Sequence, residues 1–347
     1  MQDDQPLLTI AIPTYNRSRF LTELLDILKP QMTKAFSIEL IISDNASTDD
    51  TQVILEEFSK SGLAFRYIRN KSNLGADRNV LQCFEEARGK YVWIFGDDDI
   101  ILPGALKKII RLLSQQDYDL IYVRPYEFLN DYKIGRRDDP ANHKALVVND
   151  ARLFAEMVGV MFTFISGMIV NKQRFDEIPH PSCSKSCGTQ LNHLSWIFPI
   201  LASFRKGLFI FDKLVAGRGG NSGNYNLCEV FGKNLKQLSA ELLWQDPRLG
   251  FIITNDVLRQ WFPNIAIRLR KQQAGNFNQE NLDQNLRSVF SSNYRYWFFV
   301  LPLIKTPLWF AEIWLFVGRN INRVRSLPLK AYREIYYRND YLRTTSL

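Results

Sequence analysis

The chain has little of what would place it outside the cell or across a membrane. Four cysteines among 347 residues cannot make a disulfide framework at this length, so a reducing cytoplasm is the expected compartment. No uninterrupted apolar run reaches the roughly 18 to 20 residues that a spanning helix needs. The opening Met1-Gln2-Asp3-Asp4-Gln5-Pro6 has no basic, apolar leader, which predicts against secretion. Internal repeats and low-complexity tracts are absent. A zinc site could be sought at His180, Cys183, Cys187 and His193, but Cys-x3-Cys is not one of the strong zinc spacings.

Acid is also in short supply. The 36 Asp and Glu against 44 Lys and Arg leave a formal charge of +8, concentrated towards the end of the chain. From Arg295 to Arg343 nine basic residues face three acids, Glu312, Glu334 and Asp340. Such a segment suits nucleic acid or an anionic membrane surface. No nucleic-acid module accompanies it, so no nucleic-acid partner is expected. Its neighbours are aromatic, in the blocks Tyr294 to Ile304 and Trp309 to Val317. Rings beside cations fit the bilayer interface, which predicts contact with an anionic membrane. The plain alternative is a helical core whose basic face is solvated.

What the chain has is a β-prone run, Tyr91-Val92-Trp93-Ile94-Phe95-Gly96, that ends in Asp97-Asp98-Asp99. A buried strand cannot carry three like charges, so the strand stops there and presents them at its carboxyl end. Adjacent carboxylates need a counter-charge, and a hard divalent cation is the usual one. Upstream, Leu8 to Ile12, Ile38 to Ile42 and Phe65 to Ile68 read as buried strands. Helices are expected at Arg19 to Leu28, with Ser18 as N-cap, at Thr51 to Phe58 and at Asp77 to Ala87. Repeated β–α units predict an α/β fold with a doubly wound, mostly parallel sheet. Three strand ends, at Pro13 to Tyr15, Asp44-Asn45 and Asp97 to Asp99, would then share the edge where open α/β sheets bind ligands.

Further on, a helix from Pro103 to about Gln116 and a strand from Leu120 to Tyr126 are expected. Asp131 to Asn149 reads as a polar loop or lid, Ala151 to Val160 as a helix, and Phe164 to Val170 as a strand. His193 to Phe204 is apolar enough for another helix, and Ala216 to Tyr225 is the most glycine-rich stretch.

Four motifs in this order carry a resemblance. They are Ile12-Pro13-Thr14-Tyr15-Asn16, Ser43-Asp44-Asn45-Ala46-Ser47-Thr48-Asp49, Asn73-Leu74-Gly75-Ala76-Asp77-Arg78-Asn79 and Phe95-Gly96-Asp97-Asp98-Asp99. Together, over roughly the first 105 residues, they resemble glycosyltransferase family 2, whose enzymes have the GT-A fold. Trp93-Ile94-Phe95-Gly96, Gly188-Thr189 with His193, and Arg218-Gly219 resemble its abequosyltransferase-like branch more narrowly.

The resemblance implies a GT-A domain over residues 1–225, with a nucleotide-binding half at 1–105 and an acceptor-side half at 106–225. A helical, aromatic and basic region would fill 226–347. The implied reaction moves a sugar, such as a deoxy or dideoxy hexose, from a nucleotide diphosphate to a hydroxyl of a lipid-linked oligosaccharide in bacterial O-antigen or polysaccharide synthesis. The enzyme would then sit on the cytoplasmic face of the inner membrane. Pro13 and Tyr15 would line the base pocket, and Asp44 would hydrogen-bond the base or ribose, unless it only caps its own loop. Arg78 would reach ribose or phosphate, unless it is a solvated helix residue. Mn²⁺ or Mg²⁺ would sit on Asp99 and Asp98, with Asp97 and Asp98 toward the donor. The family usually has an acid where Gly96 stands, so this chain departs from the pattern there.

A second departure concerns the catalytic base. The stretch Gly188 to His193 lacks the Glu-Asp pair that many family members carry, which leaves His193 as candidate base or as a structural histidine, and leaves inverting and retaining outcomes both open. Arg218 and the glycines after it would close over the diphosphate, or merely connect. The alternatives are a family member using a common hexose or rhamnose donor on another acceptor, and an inactive membrane-associated scaffold.

Overall fold

The computed structural model describes residues 5–33, 35–134, 145–220, 225–271 and 281–325. Part of the expected polar loop (135–144), the glycine-rich stretch at 221–224 and the basic residues Lys330, Arg333, Arg338 and Arg343 lie outside the described residues. The chain forms two compact units. One comprises Met1–Ser222 with Lys233–Ile253, the other Gly223–Gly232 with Thr254–Leu347.

The first unit is built on nine strands: β1 (Leu8–Thr14), β2 (Ile38–Asp44), β3 (Arg66–Arg69), β4 (Tyr91–Ile94), β5 (Ile100–Ile101), β6 (Leu120–Phe128), β7 (Ala145–Val148), β8 (Met168–Asn171) and β9 (Gly207–Arg218). They pair in the order β3-β2-β1-β4-β8-β6-β9-β5, with β7 also on β9. The first four are mutually parallel, as the repeated β–α pattern requires. β8 then enters antiparallel to both β4 and β6, while β6 and β9 are parallel. The sheet is therefore mixed, with its parallel block at the N-terminal end of the chain.

Strands buried on both faces read as unbroken apolar runs, and β1 and β4 do so because helices cover them. Leu21, Leu24, Leu25 and Leu28 of the helix Ser18–Leu28 recur at helical spacing and are all buried. Ala105, Leu106, Ile109, Ile110 and Leu113 do the same on Ala105–Leu113. Together with Ile10, Ile12, Trp93 and Phe95 these side chains form one continuous core.

Two local expectations change. Ser18 does not cap its helix with its own hydroxyl; instead its backbone N–H donates to Asp49 Oδ2 at 2.9 Å, so a neighbouring loop supplies the cap. The strand expected over Phe164–Val170 shortens to β8, preceded by 3₁₀ turns at Gly159–Thr163 and Ile165–Gly167. The fold-back is tight. A Cβ on Gly167 would lie 3.1 Å from Phe164 and 3.4 Å from Tyr122. Buried Trp93 holds the turn by donating its indole N–H to the Ser166 carbonyl at 2.9 Å.

The second unit is helical. Phe262–Arg270 has proline in its first turn, and Leu282–Phe290 is capped by the Asn281 side chain accepting from Gln284 N. Leu301–Lys305 and Leu308–Arg325 follow. Ala266, Ile267, Leu303 and Ala311 form a small core of their own. Among the described residues no helix is long and apolar enough to cross a membrane.

Candidate functional site

In β1–β2 register Thr14 stands opposite Asp44, and Phe95 N donates to the Ala11 carbonyl just before the acidic run. The carboxyl ends of β1, β2 and β4 thus open on one edge. The loops there are stitched together by side chains. Asn45 accepts from Leu74 N and donates to Asn73, and Asn16 accepts from Thr48 N while its own N–H donates to Ser47. Non-glycine residues with positive φ among the described residues are Asn16 (52°), Ala46 (65°) and Gln190 (59°). The first two sit on this edge, where surrounding hydrogen bonds hold a conformation that costs on the order of 1 kcal/mol or more.

The acids are not equivalent. Asp97 is buried; it accepts from the Thr14 hydroxyl at 2.7 Å and from Arg17 Nη1 at 3.0 Å. The same Arg17 nitrogen lies 3.3 Å from Asp98 Oδ2. Asp99 is buried too, and accepts from the Ser166 hydroxyl at 2.6 Å and from Arg218 N at 2.9 Å. Arg17 therefore faces Asp97 and Asp98 directly, while Asp99 is held by a hydroxyl and a backbone N–H. Burial, followed by the charge of Asp98, pushes Asp99 well above the ordinary carboxylate range. Burial also raises Asp97, against the opposing charge of Arg17. Three successive carboxylates are thus crowded at one strand end, and burial disfavours the ionised form of two of them.

Gly96 shows where a cation would fit. A Cβ built there would lie 3.1 Å from Asp99 Oδ2, 3.2 Å from Asp98 Oδ1 and 3.3 Å from Ser166 Oγ. Three oxygens, two of them from carboxylates, converge on space that any side chain would fill. This explains glycine at a position where the resemblance leads one to expect an acid. Among the described residues no three His, Cys, Asp or Glu form a ready metal cage. The donor set suits a hard cation that takes its remaining ligands from phosphate and water.

The other nominated residues fall into two groups. Pro13 and the half-exposed Tyr15 lie at the end of β1, and Asp44 lies at the end of β2. Asp44 is fully buried, with Oδ1 accepting from Ser47 N and Oδ2 from the Tyr67 hydroxyl, both at 2.8 Å. Arg218 ends β9 beside the acids; its Nε donates to the Asp98 carbonyl at 3.0 Å and its Nη2 pairs with Glu23, with the guanidinium packed over the rings of Phe20 and Phe128. Arg78 is exposed on the helix Ala76–Glu86, next to the Cys187 thiol. His193 is buried, with Nε2 3.1 Å from the Phe162 carbonyl, and desolvation lowers its pKa to about 4. The four side chains considered for zinc do not converge: His180 stacks on Phe175, and Cys183 approaches the Ser195 carbonyl.

Thr14, Arg17, Ser166 and Asp77 escaped the sequence reading. Arg17 follows directly on the Tyr15-Asn16 motif, which was its one available signal. Asp77 is the most consequential. Its Oδ2 accepts from Gly188 N at 2.7 Å and from Gln190 N at 2.8 Å, and its carbonyl accepts from the Asn192 amide. Burial raises its pKa and these N–H groups lower it, with burial dominant. A carboxylate therefore does reach the stretch Gly188 to His193, delivered from the first turn of the helix Ala76–Glu86.

The family model for glycosyl transferase family 2 matches residues 9–178. The abequosyltransferase RfbV of Salmonella typhimurium is 30% identical over 283 residues, covering 76% of this chain and 81% of that protein. A Campylobacter jejuni β-1,3-glucosyltransferase, named for the acceptor GalNAc(5)-diNAcBac-PP-undecaprenol, is 30% identical over 111 residues, 32% of this chain and 35% of that protein. Among solved structures, residues 1–349 of S. aureus TarS in complex with UDP superimpose with a TM-score of 0.57 at 17% identity, covering 90% of this chain and 88% of that one. The mannosyltransferase PcManGT of Pyrobaculum calidifontis, in complex with GDP-Man and Mn²⁺, gives 0.53 at 14% identity, covering 91% and 85%. The two structures share the fold; the relationship over most of the chain comes from the first relative. The chain belongs to glycosyltransferase family 2, as a nucleotide-sugar-dependent transferase of the GT-A fold.

Proposed function

We propose that the enzyme transfers a deoxy or dideoxy hexose from a nucleotide diphosphate to a hydroxyl of a lipid-linked oligosaccharide, during bacterial O-antigen or related polysaccharide synthesis. The observation that carries this reading is the crowded, largely buried acid cluster at the shared edge of β1, β2 and β4. The abequosyltransferase relative supports the sugar class, and the Campylobacter relative supports the lipid-linked acceptor. In this reading residues 1–105 bind the donor, 106–225 face the acceptor, and 226–347 engage the inner membrane from the cytoplasm.

Pro13 and Tyr15 bound the base, with the exposed Tyr15 ring free to stack. Asp44, fixed by Ser47 and Tyr67, orients base or ribose, and Arg78 offers its forked donors to ribose or phosphate. Thr14 and Arg17 hold Asp97, and Asp98 and Asp99 would hold Mn²⁺ or Mg²⁺, with Ser166 steadying Asp99. When bound, the ion neutralises the diphosphate and the charge that builds on the leaving nucleotide. Arg218 shapes the rim through its backbone N–H to Asp99.

His193 is the base nominated by sequence. Buried and held near pKa 4, it would accept the acceptor proton only weakly at neutral pH. Asp77 is the second reading, favoured by its carboxylate lying on Gly188 and Gln190 and by a pKa raised through burial.

The test is thermal shift with CDP, UDP, GDP and dTDP, each with and without Mn²⁺. A nucleotide at ~100 times its dissociation constant adds about 2.7 kcal/mol. Stabilisation by one base, and only with metal, is the expected result. No shift with any of the four would remove the donor-site assignment.

A further inference from the structure

The helix Leu308–Arg325 has two apolar faces. Its inward face holds Ala311, fully buried, and Gly318, where a Cβ would meet the Phe299 ring at 3.3 Å. On the opposite side Trp309, Ile313, Phe316 and Val324 are 66, 55, 65 and 65% exposed. At 100° per residue these four fall within an arc of about 80°, directly away from Ala311 and Gly318. The stripe runs roughly 22 Å along the helix. Asn320 falls on the same line and donates its amide to the Phe316 carbonyl, so the exposed apolar side chains are densest over Trp309 to Phe316; soluble monomers seldom leave such a cluster uncovered.

We propose that this face lies in the plane of an anionic lipid surface, with Trp309, Ile313, Phe316 and Val324 sunk among the headgroups. The proposal deepens the reading that the acceptor is lipid-linked, by naming the side chains that bring the enzyme to it.

Charge complementarity selects this occupant. The described residues of the C-terminal unit carry ten Lys and Arg against four Asp and Glu. Arg319 and Arg323 flank the stripe along one edge, where snorkelling guanidinium groups would meet anionic headgroups. Glu312, on the same edge, is already paired with Lys271, and Asp283 is paired with Lys305 and Arg287. A second copy laid antiparallel on the stripe would set arginine edges together, with those acids committed elsewhere. Nearby Tyr294 and Trp297 are also exposed, and amphipathic rings of this kind settle at headgroup depth. Among the described residues no helix can cross a bilayer, consistent with a helix lying along the surface.

The test is flotation of the full-length protein with phosphatidylglycerol-containing vesicles, compared with pure phosphatidylcholine, at low and high salt. Wild type should float with the anionic vesicles, and less so at high salt. A Trp309→Ser/Phe316→Ser variant should lose binding about tenfold or more, through lost apolar burial. An Arg319→Gln/Arg323→Gln variant should lose about fivefold per arginine and much of its salt response. All three should keep the same melting temperature and nucleotide response, so that failure here is distinguishable from failure of the donor-site reading. Equal flotation of the Ser variant and wild type, or no anionic preference in wild type, would overturn the proposal. So would a wild-type dimer that the Ser variant converts to monomer, since the occupant would then be a second copy.

Discussion

The two units depart from the usual partition of polar and apolar residues in opposite directions. The first takes charge inside: Asp97 and Asp99 are buried beyond the end of β4, with Arg17 set against Asp97 and Asp98. The second turns apolar surface outward along Leu308–Arg325. Each arrangement is costly for the isolated protein, and in the proposed reading each would be relieved by something the chain does not supply, a cation with phosphate in one case and lipid in the other. The two violations also differ in kind. The acid cluster is fixed by short hydrogen bonds from four different segments, whereas the exposed stripe needs only helical spacing.

Asp99→Asn should separate these ideas most sharply. Removing a buried charge relieves desolvation, so the melting temperature should hold or rise, while turnover falls by about 10²- to 10³-fold, as for loss of one transition-state electrostatic contact. Retained turnover would break the contrast by making the buried acid a structural element.

Asp77→Asn should act differently, because Asp77 uses its charge on the protein's own backbone. A loss of about 1 to 3 kcal/mol in stability is expected from weakening charge-assisted bonds to Gly188 and Gln190. The kinetic split decides its role. A fall in kcat with the acid limb of the pH–rate profile removed marks it as base, whereas a rise in acceptor KM alone marks it as a clamp on the loop.

The smallest effect concerns His193. In the unfolded chain its imidazole takes a proton near pH 6.5, but the folded protein resists until about pH 4. Unfolding therefore binds a proton in that window. The stability present above pH 6.5 is lost as pH falls, by about 2 kcal/mol at pH 5. His193→Gln should flatten this slope in denaturant melts at pH 7 and pH 5. An unchanged slope would show that the ring is not held neutral by burial.

The parallel block was legible because β1, β4 and most of β2 are buried, leaving apolar runs that stop abruptly near Pro13, Asp44 and Asp97. What escaped depends on partners far along the chain. Asp49 caps a helix that Ser18 was expected to cap. Ser166 lies in a turn that read as strand, because Phe164 and Ile165 are apolar for packing reasons. Arg218 was legible as a cation near the acids, but its guanidinium goes to Glu23, almost two hundred positions away. Asp77 looked like an ordinary first-turn acid until its loop partner, Gly188 to Asn192, came into view. The exposed stripe was half legible: aromatics and arginines were evident, but only the packed positions of Ala311 and Gly318 reveal which face is left over.

The place of β8 bears on how the protein is made. It lies between β4 and β6, yet it is synthesised after both. A nascent chain can assemble β1 to β4 early, but one edge of β4 then waits unpaired, with all four of its residues destined for burial. An open apolar strand edge invites pairing with another chain. The same segment brings Ser166, the hydroxyl that holds Asp99. A ribosome stalled before Met168 would therefore display an unprotected β4 edge, with Asp99 still lacking the Ser166 hydroxyl. The arrival of one short antiparallel strand covers that edge and brings the hydroxyl to Asp99, and β9 later adds the Arg218 N–H.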